Sequence, residues 1–137
     1  MSVLKNKRNL SHVQFLSNLA SLMNEVRDWC KSQGTRNDNY GLVDLFQAAK
    51  NAYVFAVLAN EIYPKDNASI LLRRENFDKS LDWIHVFNSE LTAIAVTNSM
   101  KLSNTKIKRW EKYAYLSKTQ IDGVKKSDTK RKTRTNK

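Results

Sequence analysis

Glycine and proline are scarce in this chain, which has three Gly and one Pro among 137 residues. A β-sheet protein of this length needs many tight turns, and tight turns draw on those two residue types. Their scarcity therefore argues against a sheet and favours long helices with few connections. The length suits a single domain, and hydrophobic residues make up 41% of the chain, which is enough for a buried core.

Cysteine is almost absent as well. Cys30 is the only one, so no disulfide can form within the chain. No apolar run approaches the roughly 20 residues that a membrane span requires, and residues 1–10 are polar and basic, without the apolar stretch of a secretory signal. We therefore expect a protein of the reducing cytoplasm that does not insert into a membrane.

Negative charge is in short supply, because 13 Asp and Glu stand against 24 Lys and Arg, for a net charge of +11. The excess is concentrated in residues 101–137, which hold 13 of the basic residues and three of the acidic ones. Residues 1–10 add three more basic residues, and the chain between is nearly neutral. Nucleic acid is the commonest partner for such an asymmetry. The alternatives are an anionic membrane surface and a basic segment that only keeps the protein soluble.

Four segments have apolar residues at helical spacing. They cover residues 12–32, 42–63, 68–99 and 104–126. Ser11 and Ser103 are the predicted N-caps of the first and last segments, because a serine hydroxyl can accept a free backbone N–H of the first turn. Pro64 ends the second segment.

The connections between these segments are short, which makes neighbouring helices antiparallel. The sequence therefore predicts an all-α fold, an antiparallel up-down four-helix bundle over residues 11–126. A basic arm over residues 1–10 precedes it. Residues 127–137 contain no apolar side chain, so we expect a disordered basic tail there.

No combination of residues typical of a catalytic or metal site stands out. Asp82 and His85 lie one turn apart in the third segment, but a dimetal bundle needs a second such pair. The other histidine, His12, precedes the bundle core. Cys30 lies on the apolar stripe of the first segment, where burial raises a thiol pKa and leaves it unreactive. We therefore expect no enzyme activity, no metal and no other cofactor.

The last segment carries basic residues off its apolar stripe, and these are the predicted nucleic-acid-binding residues. They are Lys108, Arg109, Lys112, Lys118, Lys125 and Lys126, with Lys108, Lys112, Lys118 and Lys126 on approximately one face. Such a row can follow a phosphate backbone and release counterions. Asn and Gln are scarce beside it, so we expect salt-sensitive binding with little sequence specificity. The alternative is a merely solvated face.

Arg73 and Arg74 open the third segment. Consecutive residues point about 100° apart on a helix, so the two meet different partners. One interpretation is an ion pair with Glu61 or Asp44 of the preceding segment. The other is a phosphate contact, because a guanidinium group suits phosphate geometry, and both arginines are therefore included among the candidate binding residues.

Several stretches of the sequence resemble one bacterial family. They are residues 2–11 (SVLKNKRNLS), 15–18 (FLSN), 59–64 (ANEIYP), 71–77 (LLRRENF) and 121–128 (IDGVKKSD). The family comprises four-helix-bundle proteins similar to the accessory variability determinant of diversity-generating retroelements. It is related to proteins encoded in intervening sequences of large-subunit ribosomal RNA.

The resemblance implies a homopentameric barrel with a positive surface. It also implies a partner, the reverse transcriptase of the retroelement with its template RNA and cDNA, for which the protein is a nucleic-acid-binding accessory. Arg73 and Arg74 would match the paired arginines of the family, and residues 108–126 its basic last helix. Two alternatives remain: a scaffold whose basic surface meets an acidic protein, and a ribosomal-RNA-associated bundle without a retroelement role.

Overall fold

The computed structural model of the protein describes residues 13–33, 40–97 and 102–135. Within these ranges, 92% of the residues are helical and no strand occurs. The helices are α1 (Gln14–Ser32), α2 (Tyr40–Glu61), α3 (Asn67–Thr97) and α4 (Asn104–Thr135). The prediction of an all-α fold with four helices is therefore confirmed. The predicted basic arm, residues 1–10, lies outside the described residues.

Side-chain caps account for the starts of α3 and α4. Ser103 Oγ accepts a hydrogen bond from Lys106 N at 3.2 Å, as predicted for the N-cap of α4. At α3, Ser69 N donates to Asp66 Oδ1 at 2.8 Å and Asp66 N donates to Ser69 Oγ at 3.0 Å, a reciprocal pair similar to a capping box. The hydrogen bonds from Ser69 lower the pKa of Asp66 from its ordinary value. The other predicted cap, Ser11, falls outside the part of the chain that the structure describes.

The four helices pack in a ring, in which α1 contacts α2 and α4, and α3 contacts α2 and α4. Aromatic side chains fill the centre. The rings of Trp29 on α1 and Trp110 on α4 meet edge to face with their centroids 5.9 Å apart. Across the diagonal, Phe15 on α1 meets Phe77 on α3 in the same way at 5.6 Å. One continuous core therefore joins all four helices.

Alanine gives α2 its place in the bundle. Five alanines of this helix are fully buried, namely Ala48, Ala49, Ala52, Ala56 and Ala59. Their small side chains allow α3 to come close, and Ser80 Oγ donates a hydrogen bond to Ala52 O at 2.7 Å.

Residues Gly41–Glu61 are, by length and composition alone, long and apolar enough to cross a membrane. The expectation that no such segment exists was therefore wrong, and the buried alanines explain the apolar character of the helix within the bundle.

The last helix is longer than the sequence predicted. It continues to Thr135, whereas its end was expected near Lys126, with a disordered tail from residue 127. Residues 127–135 are helical, so the disordered tail is not confirmed over the described residues. The prediction relied on the lack of apolar side chains there, and it missed Asp128, which is buried in an ion pair with Arg73.

Candidate nucleic-acid interface

Helical periodicity sets the outward side of α4. The side that faces the bundle is marked by the buried residues Trp110, Ala114, Ser117, Ile121 and Asp128. With 3.6 residues per turn, residues about half a turn away from these project into solvent. We call this solvent-facing row the outer stripe, and it consists of Lys108, Lys112, Tyr115, Thr119, Gly123, Lys126 and Lys130, all of which are exposed.

Lysines occupy both ends of the outer stripe. Lys108 and Lys112 form an N-terminal pair, and Lys126 and Lys130 form a C-terminal pair. With a rise of about 1.5 Å per residue, Lys112 and Lys126 are roughly 21 Å apart along the helix axis. Among the described residues, none of these four lysines takes part in an ion pair. All four charges are therefore available to a ligand.

The middle of the outer stripe, from Thr119 to Gly123, is uncharged and has only small side chains. The hydroxyl of Thr119 donates to the carbonyl oxygen of Tyr115 at 3.0 Å, within the same helix. Gly123 has no side chain, and a Cβ atom added there would meet nothing within 4 Å. Tyr115 is 68% exposed. The surface thus has two separate basic pairs with a shallow neutral section between them.

Two of the predicted binding residues, Arg109 and Lys125, lie on the flanks of α4 and form ion pairs. Arg109 Nη2 is 2.8 Å from Glu25 Oε1 of α1. Lys125 Nζ is 2.5 Å from Asp78 Oδ1 of α3. These pairs join α4 to its two neighbours, and each partly neutralises the lysine or arginine that a phosphate would otherwise meet.

Glu25 also accepts two further hydrogen bonds from α4. Trp110 Nε1 donates to Oε1 at 3.3 Å, and the Tyr113 hydroxyl donates to Oε2 at 3.0 Å. The hydrogen bond to Glu25 raises the pKa of Tyr113, because it is lost when the phenol ionises. Together with Arg109, these contacts fix the rotation of α4 on α1 and hence the direction of the outer stripe.

Arg73 is held inside the bundle. Its side chain is 11% exposed, and its Nε atom is 2.7 Å from Asp128 Oδ2. Nη1 donates to the carbonyl oxygens of Ala59 and Ile62 at 3.4 and 3.2 Å, at the end of α2. The guanidinium carbon lies 5.2 Å from the ring centroid of Phe77. A group with this many partners joins three helices and has little surface left for a phosphate.

The ion-pair interpretation of Arg73 is confirmed, but the partner differs from the predicted ones. Glu61 and Asp44 were expected because α2 precedes α3 in the chain. The observed partner, Asp128, comes from α4. Asp128 lies in the segment that the sequence predicts to be a disordered tail, where a buried ion pair is not expected.

Arg74 points elsewhere, as two consecutive arginines on a helix must. It is exposed and lines a surface depression of about 510 Å³ between α3 and α4. The same depression is lined by Lys126 and Lys130 of the C-terminal pair. Arg74 therefore adds a third positive charge to that end of the outer stripe.

Lys118 departs from the row to which the sequence assigned it. It is exposed, but it lies on the side of α4 that faces α3, where it lines a groove of about 730 Å³. Asp82, His85 and Glu111 line the same groove. Lys118 therefore lies among acidic side chains and not with Lys112 on the outer stripe.

Lys130 is the member of the outer stripe that the sequence reasoning missed. It follows Lys126 at the four-residue spacing of a helix. Asp128 follows the buried Ile121 by two turns and continues the buried stripe. These two spacings were the available signals that the helix continues past residue 126.

Groups that could serve catalysis or metal binding are dispersed. Cys30 Sγ donates to the carbonyl oxygen of Leu42 at 3.6 Å, and burial raises the pKa of the thiol to about 11, as predicted in direction. His85 is exposed. Within residues 13–33, 40–97 and 102–135, no three His, Cys, Asp or Glu side chains are grouped as metal ligands would be.

No protein-family profile, curated protein or solved structure matches the chain. The resemblance to accessory proteins of diversity-generating retroelements therefore stays a prediction.

Proposed function

We propose that the protein binds nucleic acid through the outer stripe of α4 and the neighbouring Arg74. The observation that carries this proposal is the set of four lysines that share one exposed face of a single helix without ion-pair partners among the described residues. Lysines that meet phosphates release condensed counterions, which drives association at low salt. The stripe offers few groups for reading base edges, so contacts to the backbone dominate.

The predicted residues divide by their environment. Lys108, Lys112, Lys126 and Arg74 are exposed and carry the binding. Arg109, Lys125 and Lys118 contribute less, because the first two are in ion pairs and the third lies in an acidic groove. Arg73 acts by holding the end of α4 in place.

A charge-reversal experiment tests this assignment. In the variant Lys108→Glu/Lys112→Glu/Lys126→Glu, we expect at least tenfold weaker binding to a fluorescently labelled oligonucleotide. We also expect a shallower dependence of log Kd on log salt, by about 0.9 for each phosphate that the variant no longer neutralises. Fluorescence anisotropy between about 50 and 200 mM salt measures both quantities.

The matched control changes the net charge by the same amount elsewhere. Lys31→Glu/Lys50→Glu/Lys65→Glu alters three exposed lysines outside α4, and it should bind nearly as well as the unaltered protein. If both variants lose the same affinity, net charge and not the outer stripe governs binding. If the unaltered protein binds an acidic protein but no oligonucleotide, the scaffold role replaces the nucleic-acid role.

For the biological role, we propose a non-enzymatic accessory of a reverse transcriptase in a diversity-generating retroelement, located in the cytoplasm. The support is the resemblance of the motifs quoted above, including residues 71–77 and 121–128. A reverse-transcriptase gene beside this one, with a template repeat and a variable repeat, is the expected neighbourhood. Without those neighbours, the ribosomal-RNA-associated role is the better one, and the binding proposal stands unchanged.

We also propose the antiparallel up-down order for the helices. For α2 and α3, its support is that Ala52 pairs with Ser80 whereas Ala59 pairs with Arg73. For α1 and α4, Asn18 bonds to Gln120 whereas Glu25 bonds to Trp110. In each case the residue number rises on one helix as it falls on the other.

We propose that the protein forms the homopentamer that the resemblance implies. Such an assembly needs an apolar surface where its subunits meet. Leu58, Tyr63, Leu71 and Leu72 are exposed near the connection between α2 and α3, and we propose that they contribute to the contact between subunits, as exposed apolar patches do in other proteins. We expect the unaltered protein to be several times heavier than the 15.9 kDa chain in light-scattering chromatography. Leu58→Asp/Leu72→Asp should reduce it to a monomer, and a monomeric unaltered protein would exclude the pentamer.

A further inference from the structure

We propose that the outer stripe binds double-stranded B-form DNA by lying across the major groove, with one lysine pair on each strand. The inference rests on the proposed nucleic-acid binding and names the form that is bound. It depends on the length of α4, which places Lys126 and Lys130 in register with Lys108 and Lys112 on one rigid helix.

The spacing of the two pairs fits this groove. The major groove of B-form DNA is about 12 Å wide, admits an α-helix, and is bordered on each side by a phosphate backbone. Lys112 and Lys126 are roughly 21 Å apart along the axis of α4. Lysine has a long, flexible side chain, so the two pairs can bend inward and contact the backbones on either side of the groove. Arg74 supports the C-terminal pair from α3.

The middle of the outer stripe allows the DNA to come close to the backbone of α4. Gly123 lies in the interior of α4, where glycine weakens a helix. Nothing in the bundle requires glycine there, since an added Cβ would meet no atom within 4 Å. Close approach of a ligand to the backbone is a common reason for such a glycine. Thr119, one turn earlier, is also small. Thr119 and Gly123 are about 6 Å apart along the axis, so this short part of the helix can face the groove between its two backbones.

Other nucleic acids fit less well. A single strand is bound along a continuous basic track with aromatic rings that stack on its bases. Between Lys112 and Lys126 the stripe has no basic residue, and Tyr115 is its one aromatic residue. Duplex RNA has a deep, narrow major groove that protein side chains cannot read. Double-stranded DNA is therefore the best match.

Three probes of one sequence test the proposal by fluorescence anisotropy with the full chain. They are a DNA duplex of about 20 base pairs, roughly two helical turns, the corresponding single DNA strand, and the corresponding RNA duplex. We expect the DNA duplex to bind about tenfold more tightly than either of the others at equal salt. Lys108→Gln/Lys112→Gln and Lys126→Gln/Lys130→Gln should each lower the salt slope for the DNA duplex by about 2.

A variant with a larger side chain distinguishes binding in the major groove from simple attraction between charges. Gly123→Gln adds an uncharged side chain to the middle of the outer stripe, and it should weaken DNA-duplex binding about tenfold with the salt slope nearly unchanged. The control Ala93→Gln adds the same group at an exposed position of α3 and should bind like the unaltered protein. Circular dichroism of both variants verifies that the helices are retained.

The outcomes distinguish this inference from the proposed function. Equal affinity for the single strand or for the RNA duplex overturns the major-groove arrangement, and so does unaltered binding by Gly123→Gln. In each of these cases the binding of nucleic acid by the basic surface still holds. If none of the three probes binds, both proposals are overturned.

Discussion

Nε of Arg73 lies 2.7 Å from Oδ2 of Asp128, and this ion pair secures the C-terminal part of the last helix to the bundle. Asp128 is buried and Arg73 nearly so, with 5% and 11% of their side chains exposed. No apolar residue follows Val124 in the chain, so hydrophobic burial cannot hold residues beyond it. A buried charge is costly unless it is paired, and Asp128 is the carboxylate that compensates Arg73. The ion pair is therefore one contact that helps to hold residues 127–135 on the bundle.

Replacing the carboxylate should destabilise the fold. Asp128→Asn leaves the Arg73 charge buried without a counter-charge, and we expect the free energy of unfolding to fall by about 3 kcal/mol. Urea denaturation measures this loss. Asp82→Asn is the control, because Asp82 is exposed on α3 and should change stability by less than about 0.5 kcal/mol. Equal effects of the two substitutions would show that the ion pair contributes nothing to stability.

The same substitution should also weaken nucleic-acid binding, although it removes a negative charge from a basic surface. Electrostatics alone predicts tighter binding by Asp128→Asn. If the ion pair orders the end of α4, its loss frees residues after Lys126 to unfold locally, and Lys130 leaves the outer stripe. Hydrogen exchange of residues 127–135 and anisotropy of a DNA duplex measure the two effects. Tighter binding by the variant would contradict the role of the ion pair.

Periodicity was sufficient to predict the four helices and most of the core, although Leu71 and Leu72, which share that spacing, are exposed. The apolar spacing of three and four residues along α1, including Leu19, Leu22 and Val26, identifies the buried side directly. Ser103 was recognisable as a cap because its role depends only on residues within one turn. Features that depend on a single helix could therefore be predicted from the sequence.

Contacts between residues far apart in the chain could not be predicted from the sequence. Arg73 and Asp128 are 55 positions apart, and no local pattern pairs them. The sequence placed Arg109 and Lys125 with the free lysines because a helical projection shows which side a residue occupies but not what the neighbouring helix presents. Glu25 and Asp78 supply those partners for Arg109 and Lys125, and only the packed bundle brings them close. Lys118 was misplaced for a different reason, since it follows Lys112 by six residues, about 600° of helix rotation, and periodicity itself puts it on another side.

Replacing Gly123 by alanine should stabilise the protein. Gly123 lies within α4, is exposed, and leaves open space for a Cβ. Alanine restricts the unfolded chain more than glycine and favours the helix, so we expect a gain of about 1 kcal/mol in the free energy of unfolding. The reverse change Ala93→Gly, at an exposed position of α3, should lose a similar amount. A loss of stability in Gly123→Ala would mean that the backbone there is not helical in solution.

The pH dependence of Cys30 should report its burial. Burial raises the pKa of the thiol from 9.0 to about 11, so the fold favours the protonated form. This contribution to stability is complete below about pH 9 and is lost as the pH rises through 11. Alkylation by iodoacetamide at pH 8 should be much slower for the folded protein than for protein unfolded in urea, because the thiolate is the reacting species. Equal rates would contradict the burial of this side chain.

Two serines of the core should respond to the same substitution with opposite signs. Ser80 on α3 and Ser117 on α4 are both fully buried. Ser80 Oγ donates to Ala52 O at 2.7 Å, whereas Ser117 Oγ has no hydrogen-bond partner among the described residues. Ser80→Ala removes a hydrogen bond between helices and should lower the free energy of unfolding by about 1 kcal/mol. Ser117→Ala removes an unsatisfied buried hydroxyl and should raise it by about the same amount.

The midpoints of urea unfolding measure both changes, provided that the slope with denaturant is unaltered. Each variant serves as the control for the other, since the volume removed and the degree of burial are the same and only the hydrogen bond differs. A loss of stability in Ser117→Ala would mean that this hydroxyl has a partner in solution, for which a buried water molecule is the simplest choice. In that case the core beside α4 would contain a polar site that the interhelical ion pairs alone do not explain.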